Sequence, residues 1–140
     1  MESVMRRLVV GLVLAGCLHM HPARADDAAD VRAVITGQMQ AFRHGDAVSA
    51  YGFAAPSIQT IFPSPERFMS MVMQGYAPVY QAKDVAFGPF TTEGGALRQD
   101  AFITDREGRS WIASYTLERQ SDGSLKITSC AIRRGNDVSA

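Results

Sequence analysis

Near Tyr80 the hydrophobic period of this chain changes from about 3.6 residues to about 2, so a helical front half must meet a stranded back half. Val31, Val34, Ile35, Gln38, Met39 and Phe42 fall at i, i+3, i+4 spacing and predict a helix from Asp30 to about Phe42. Asp26, Asp27 and Asp30 suit its positive N-terminus, with Asp30 as the cap. Arg43-His44-Gly45-Asp46 reads as its end. Gly45 takes the left-handed position there, and Asp46 caps a second helix from Ala47 to about Ala54. Pro56, Pro63 and Pro65 leave a short turn over 57–62 and open a third helix, Pro65 to Gln74, capped by Ser64. Phe68, Met69, Met71, Val72 and Met73 make that helix apolar on more than one side, which requires it to be largely buried.

Beyond Tyr80, Val85, Phe87 and Phe90 lie in one extended run, and Ala101, Phe102 and Ile103 lie in another after Gly94-Gly95. Trp111, Ala113, Tyr115 and Leu117 alternate with Ile112, Ser114, Thr116 and Glu118; Leu125, Ile127 and Ser129 alternate with Lys126, Thr128 and Cys130. The segments 105–108 and 121–124 are hairpin turns, and the connections are too short for parallel crossovers. The expected fold is therefore α+β, with three N-terminal helices packed on one face of a curved, four-stranded antiparallel meander. Period 2 puts Trp111, Ala113, Tyr115 and Leu117 on one side, buried against the helices or a second subunit.

With 140 residues, 46% hydrophobic and 20% charged, the chain has room for one domain. Lys+Arg 14 balance Asp+Glu 14, so there is no basic excess of the kind nucleic-acid binding requires. Two cysteines, Cys17 and Cys130, are too few for a disulfide scaffold or a multi-cysteine metal site. The first 25 residues read as an export address: Arg6-Arg7, an apolar run Leu8–Leu18 too short to span a bilayer, and small-x-small Ala23-Arg24-Ala25. Cleavage there releases a single domain over 26–140 into the periplasm or medium. Leu14-Ala15-Gly16-Cys17 offers a competing lipobox, which would anchor the chain to the envelope through a lipid on Cys17. Membrane association is expected only in that case.

Phe42-Arg43-His44-Gly45-Asp46-Ala47, Tyr51, Phe53-Ala54-Ala55-Pro56, a Phe-Pro link, a third helix and the closing Asp122-Gly123-Ser124-Leu125-Lys126-Ile127 strand are together similar to the nuclear-transport-factor-2-like superfamily. Within it, the chain most resembles the bacterial domain-of-unknown-function family numbered 4864, over about residues 28–134. The resemblance implies a cone in which the sheet wraps the helices, often around an internal pocket, and frequent dimerisation through the sheet face. It implies no particular chemistry, because the fold hosts isomerases, dehydratases, cyclases and binding modules alike.

Few residues are candidates for chemistry. His44 is the single histidine after the address segment, which removes a histidine-cluster metal site; at a helix end its charge suits the dipole. Cys130 sits among Ile127, Ala131 and Ile132, where a packed thiol is the default, and no disulfide partner exists within 26–140. Both are expected to be dispensable. Asp105, Glu107 and Asp122 fall in turns and Asp84 and Glu93 at strand ends, while Asp100 before Ala101 and Glu118 at a strand end could each point inward, with solvent exposure the default. No residue set calls for a metal or a cofactor. The Met-rich third helix points instead to adaptable apolar binding. Tyr51, Phe68, Met71, Val72, Tyr76 and Tyr115 are the expected ligand-binding residues, and a small apolar molecule the expected partner. Two functions follow: an exported ligand-binding or protein-interaction module, or a small lyase or isomerase pairing a carboxylate with a tyrosine. An acidic side chain within reach of a tyrosine in the cone separates them.

Overall fold

A computed structural model describes residues 23–135, with side chains from Asp26 onward. The apolar run and Cys17 of the expected export address lie outside the described residues. Helix α1 runs Ala23–Arg43 and buries Val31, Ile35, Met39 and Phe42 along one stripe. It starts earlier than Asp30, because nothing between Ala23 and Asp30 breaks a helix and alanines favour one. Asp30 is therefore not the cap. With Asp27 it receives the Arg119 guanidinium, at 3.1 and 2.8 Å. Gly45 (φ 64°) ends α1, and the Asp46 carboxylate accepts from Ser49 N–H at 3.0 Å to cap α2, Ala47–Gly52.

Residues 57–62 are not a turn. Pro56, preset for a first helical turn, opens α3 (Pro56–Ile61). Helix α4 (Pro65–Gly75), capped by the Ser64 hydroxyl, and one-turn α5 (Ala77–Tyr80) follow. The three expected helices are thus joined by two short ones.

Strands β1 (Asp84–Glu93), β2 (Ala96–Thr104), β3 (Ser110–Arg119) and β4 (Leu125–Arg134) form one antiparallel sheet in sequence order, the expected meander. Leu97, Ala101, Ile103, Ala113, Tyr115, Leu117 and Ile127 face inward and close the core with α1 and α4. Trp111 shares that side and donates its indole N–H to Asp105 Oδ2 at 2.9 Å.

Two irregularities shape the sheet. The β1 register shifts between Phe87 and Phe90, where Gly88 and Pro89 drop out of the ladder. Their carbonyls accept from the Gln99 amide at 3.0 and 3.3 Å, while Gln99 Oε1 accepts from Arg32 Nε at 3.1 Å. Gln99 is fully buried because its amide satisfies the bulge. The second shift lies between Thr116 and Leu117: Thr116 faces Ser129 and Leu117 faces Ile127, leaving Thr128 as the extra residue. Strict alternation, which put Cys130 on the Lys126 side, fails here. After the bulge Cys130 pairs with Tyr115 and joins the inner face. Beside it, Ala55 N–H donates to Ile127 C=O at 2.8 Å and Ile127 N–H to Phe53 C=O at 2.9 Å, pinning the α2–α3 junction to β4.

Candidate functional site

Between the helices and the inner face of β3 and β4 lies a cavity of about 330 Å³. Gln38 and Phe42 of α1, Ile58 of α3, Phe62, then Phe68, Met71 and Val72 of α4 form its helical wall, with Tyr76 and Val79 beside α5. The sheet contributes Tyr115 and the β4 run from Ile127 to Cys130. Five of the six residues singled out from the sequence are gathered here: Phe68, Met71, Val72, Tyr76 and Tyr115. Tyr51 is not among the lining residues. Its hydroxyl donates to Phe62 C=O at 2.6 Å and its ring packs on Phe68 at 5.7 Å, so it braces the wall from behind.

Several lining residues lie outside that expected set for identifiable reasons. Ile58 and Phe62 lay in a segment read as a turn, although Pro56 followed by apolar residues at helical spacing carried the signal. Gln38 sat in the α1 stripe as a polar interruption; it is buried, and its amide donates to Ala50 C=O at 3.1 Å. Cys130 reaches the cavity only because of the bulge.

The lining is uncharged: no Asp, Glu, Lys, Arg or His is part of it among the described residues. Of its polar side chains, the Gln38 amide donates to Ala50 C=O and the Thr128 hydroxyl to Thr116 C=O, each at 3.1 Å. Tyr115 is 1% exposed, and among the described residues its hydroxyl makes no hydrogen bond of good geometry; its polar contact is the Cys130 sulfur, a weak acceptor. Burial, then that thiol, raises the Tyr115 hydroxyl well above its ordinary range. Burial likewise raises Cys130 to about 12, leaving the thiol protonated and a poor nucleophile at neutral pH.

The carboxylates that could have served a catalyst are engaged elsewhere. Asp100 accepts from Ser114 at 2.8 Å on the outer face, and Glu93 pairs with Arg98 at 3.3 Å. Asp105, expected to be solvated in its turn, is 3% exposed and holds together the β2–β3 hairpin. Burial pushes its carboxyl up, but hydrogen bonds from Trp111 and from the Arg109 backbone and side chain outweigh this and hold it at about 2. His44 is exposed at the end of α1, its Nδ1 2.7 Å from Gln40 C=O. A wider trough of about 770 Å³ runs along the sheet ends by Asp84, Trp111, Arg133 and Arg134, and it contains no unpartnered buried polar atom among the described residues.

The family model described as Domain of unknown function (DUF4864) matches residues 24–140. The chain belongs to this family. Solved structures give this DUF4864 protein its fold. A Catenulispora acidiphila protein superimposes with TM-score 0.56 at 17% identity, covering 81% of this chain and 95% of its own. An NTF-2-like protein of unknown function from Silicibacter pomeroyi DSS-3 gives 0.54 at 16%, covering 79% and 98%. A Catenulispora acidiphila structure in complex with S-DNPA gives 0.53 at 17%, covering 79% and 94%. At these identities the likeness is one of fold alone, a nuclear-transport-factor-2-like cone. No curated protein matches the chain.

Proposed function

We propose that this DUF4864 protein is an exported binding module of the bacterial envelope whose cone holds a small, uncharged, mainly apolar molecule. The observation that carries the reading is the lining: aromatic, Met and aliphatic side chains with no ionised group among them. An ionic ligand would be desolvated there without a partner, at a cost of several kcal/mol. The volume lies at the lower end of small-molecule sites, roughly 300–1,000 Å³. A structural neighbour solved in complex with S-DNPA supports small-ligand binding by a protein of this fold. The alternative, a carboxylate–tyrosine lyase or isomerase, has less support, because no described carboxylate lines the cavity.

Native mass spectrometry of protein purified from its own cells tests this reading in one spectrum. The expected species begins at Asp26 or at a lipidated Cys17 and carries an uncharged adduct released by gentle activation. Pairing of two copies through the sheet face, expected from the resemblance, would appear as a doubled mass. A chain retaining Met1 to Gly16 would contradict export, and a hydrophilic or charged adduct would contradict the assigned ligand class.

A further inference from the structure

Resting on the reading of the cone as a ligand site, we infer that the Tyr115 hydroxyl is its polar anchor, and that the cone selects neutral apolar molecules bearing a carbonyl-type oxygen. Tyr115 projects inward from β3 and lines the cavity, yet its hydroxyl is the one buried side-chain polar atom without a partner among the described residues. A buried donor left unmade is unfavourable by about 1–3 kcal/mol, so native proteins rarely keep one without a use. The other buried donors nearby are committed: Gln38 to Ala50 C=O, Thr128 to Thr116 C=O, Tyr51 to Phe62 C=O. Cys130, the remaining neighbour, offers the Tyr115 O–H only a sulfur, a weak acceptor that a carbonyl oxygen outcompetes.

The occupant follows from three constraints. It presents an acceptor, because a phenol is a good donor. It bears no charge, because the lining supplies no counter-charge. It has about twice the bulk of benzene, which fills a cavity of about 150 Å³, against the 330 Å³ here. An aryl ketone or ester of two-ring size meets all three. The hydroxyl is shielded from water, so a lining side chain must shift to admit the acceptor. Met71, with its flexible thioether chain, is suited to that movement.

The test compares 2-acetylnaphthalene, 2-ethylnaphthalene and 2-naphthoate as probes by calorimetric titration of the full chain. The ketone should bind about five- to tenfold more tightly than the ethyl analogue, the worth of one net hydrogen bond, and the carboxylate weakest. Tyr115→Phe should erase the ketone's advantage while leaving 2-ethylnaphthalene affinity within about twofold, and His44→Ala, outside the cavity, should preserve it. The ketone C=O stretch of the bound probe should move to lower wavenumber in the wild type and revert in Tyr115→Phe. Equal binding of ketone and ethyl probe overturns the anchor but leaves the apolar site standing, as does an advantage that survives Tyr115→Phe. Tightest binding by the carboxylate, or binding by none of the three, overturns both.

Discussion

At the scale of single residues, Tyr115 and Asp105 show opposite solutions to burial. Tyr115 keeps an unpartnered hydroxyl in the cavity wall, so its removal should help the fold: Tyr115→Phe is expected to raise stability by about 1 kcal/mol, read from the urea midpoint at constant m-value. A loss of similar size would mean that the hydroxyl has a partner in the folded protein. Asp105 is buried but saturated by Trp111 and Arg109, with Nε1 and Nε both at 2.9 Å from Oδ2. Asp105→Asn keeps the shape and loses the charge-assisted bonds, so the midpoint should fall at pH 7. His44→Ala, at an exposed helix end, should leave the midpoint nearly unchanged. That Asp105 would be buried was not legible from its turn sequence. A strong turn signal says where the chain reverses, not what the reversal packs against.

At the scale of elements, α1, α2, α4 and all four strands are legible because periodicity and turn chemistry agree in them: Pro65 and Ser64 for α4, Asp122-Gly123 for the last hairpin. What periodicity does not reveal is the extra residue. Thr128 is unremarkable in composition, yet inserting it reverses the face of every residue after it and brings Cys130 beside Tyr115. Likewise Gly88-Pro89 breaks what reads as one extended run, and nothing in the sequence shows that Gln99 repairs the break. This placement of Cys130 has a direct consequence. Held at about 12 by burial, its thiol should react with iodoacetamide at pH 8 at least about 100-fold more slowly in the native protein than in urea. Labelling at the unfolded rate would contradict this placement of Cys130 on the inner face.

At the scale of the whole molecule, the same buried groups set the pH range of the fold. Asp105 is held at about 2 against an ordinary 3.8, so its contribution is complete above 3.8 and lost as pH falls towards 2. Cys130 and Tyr115 act in the other direction. Their raised values mean that the native state keeps protons the unfolded chain releases, so stability falls as pH climbs above about 9 towards 12. Urea midpoints should therefore plateau between about pH 4 and 9. Asp105→Asn should flatten the acid limb, and Cys130→Ala with Tyr115→Phe the alkaline one. The cone itself was legible from the order of helices and strands. Its cavity was only half so, since the Met-rich α4 signals adaptable apolar surface but not which of its faces meets the sheet. That distinction gives the central claim its most direct measurement, a titration of ¹³C-methyl-methionine protein with 2-ethylnaphthalene followed by NMR. Met71 lines the cavity, whereas Met73 on the same helix is 49% exposed and outside it. The account predicts a saturable shift of the Met71 methyl with Met73 still; a Met73 shift equal to that of Met71, or a Met71 signal unmoved up to the solubility of the probe, would contradict it.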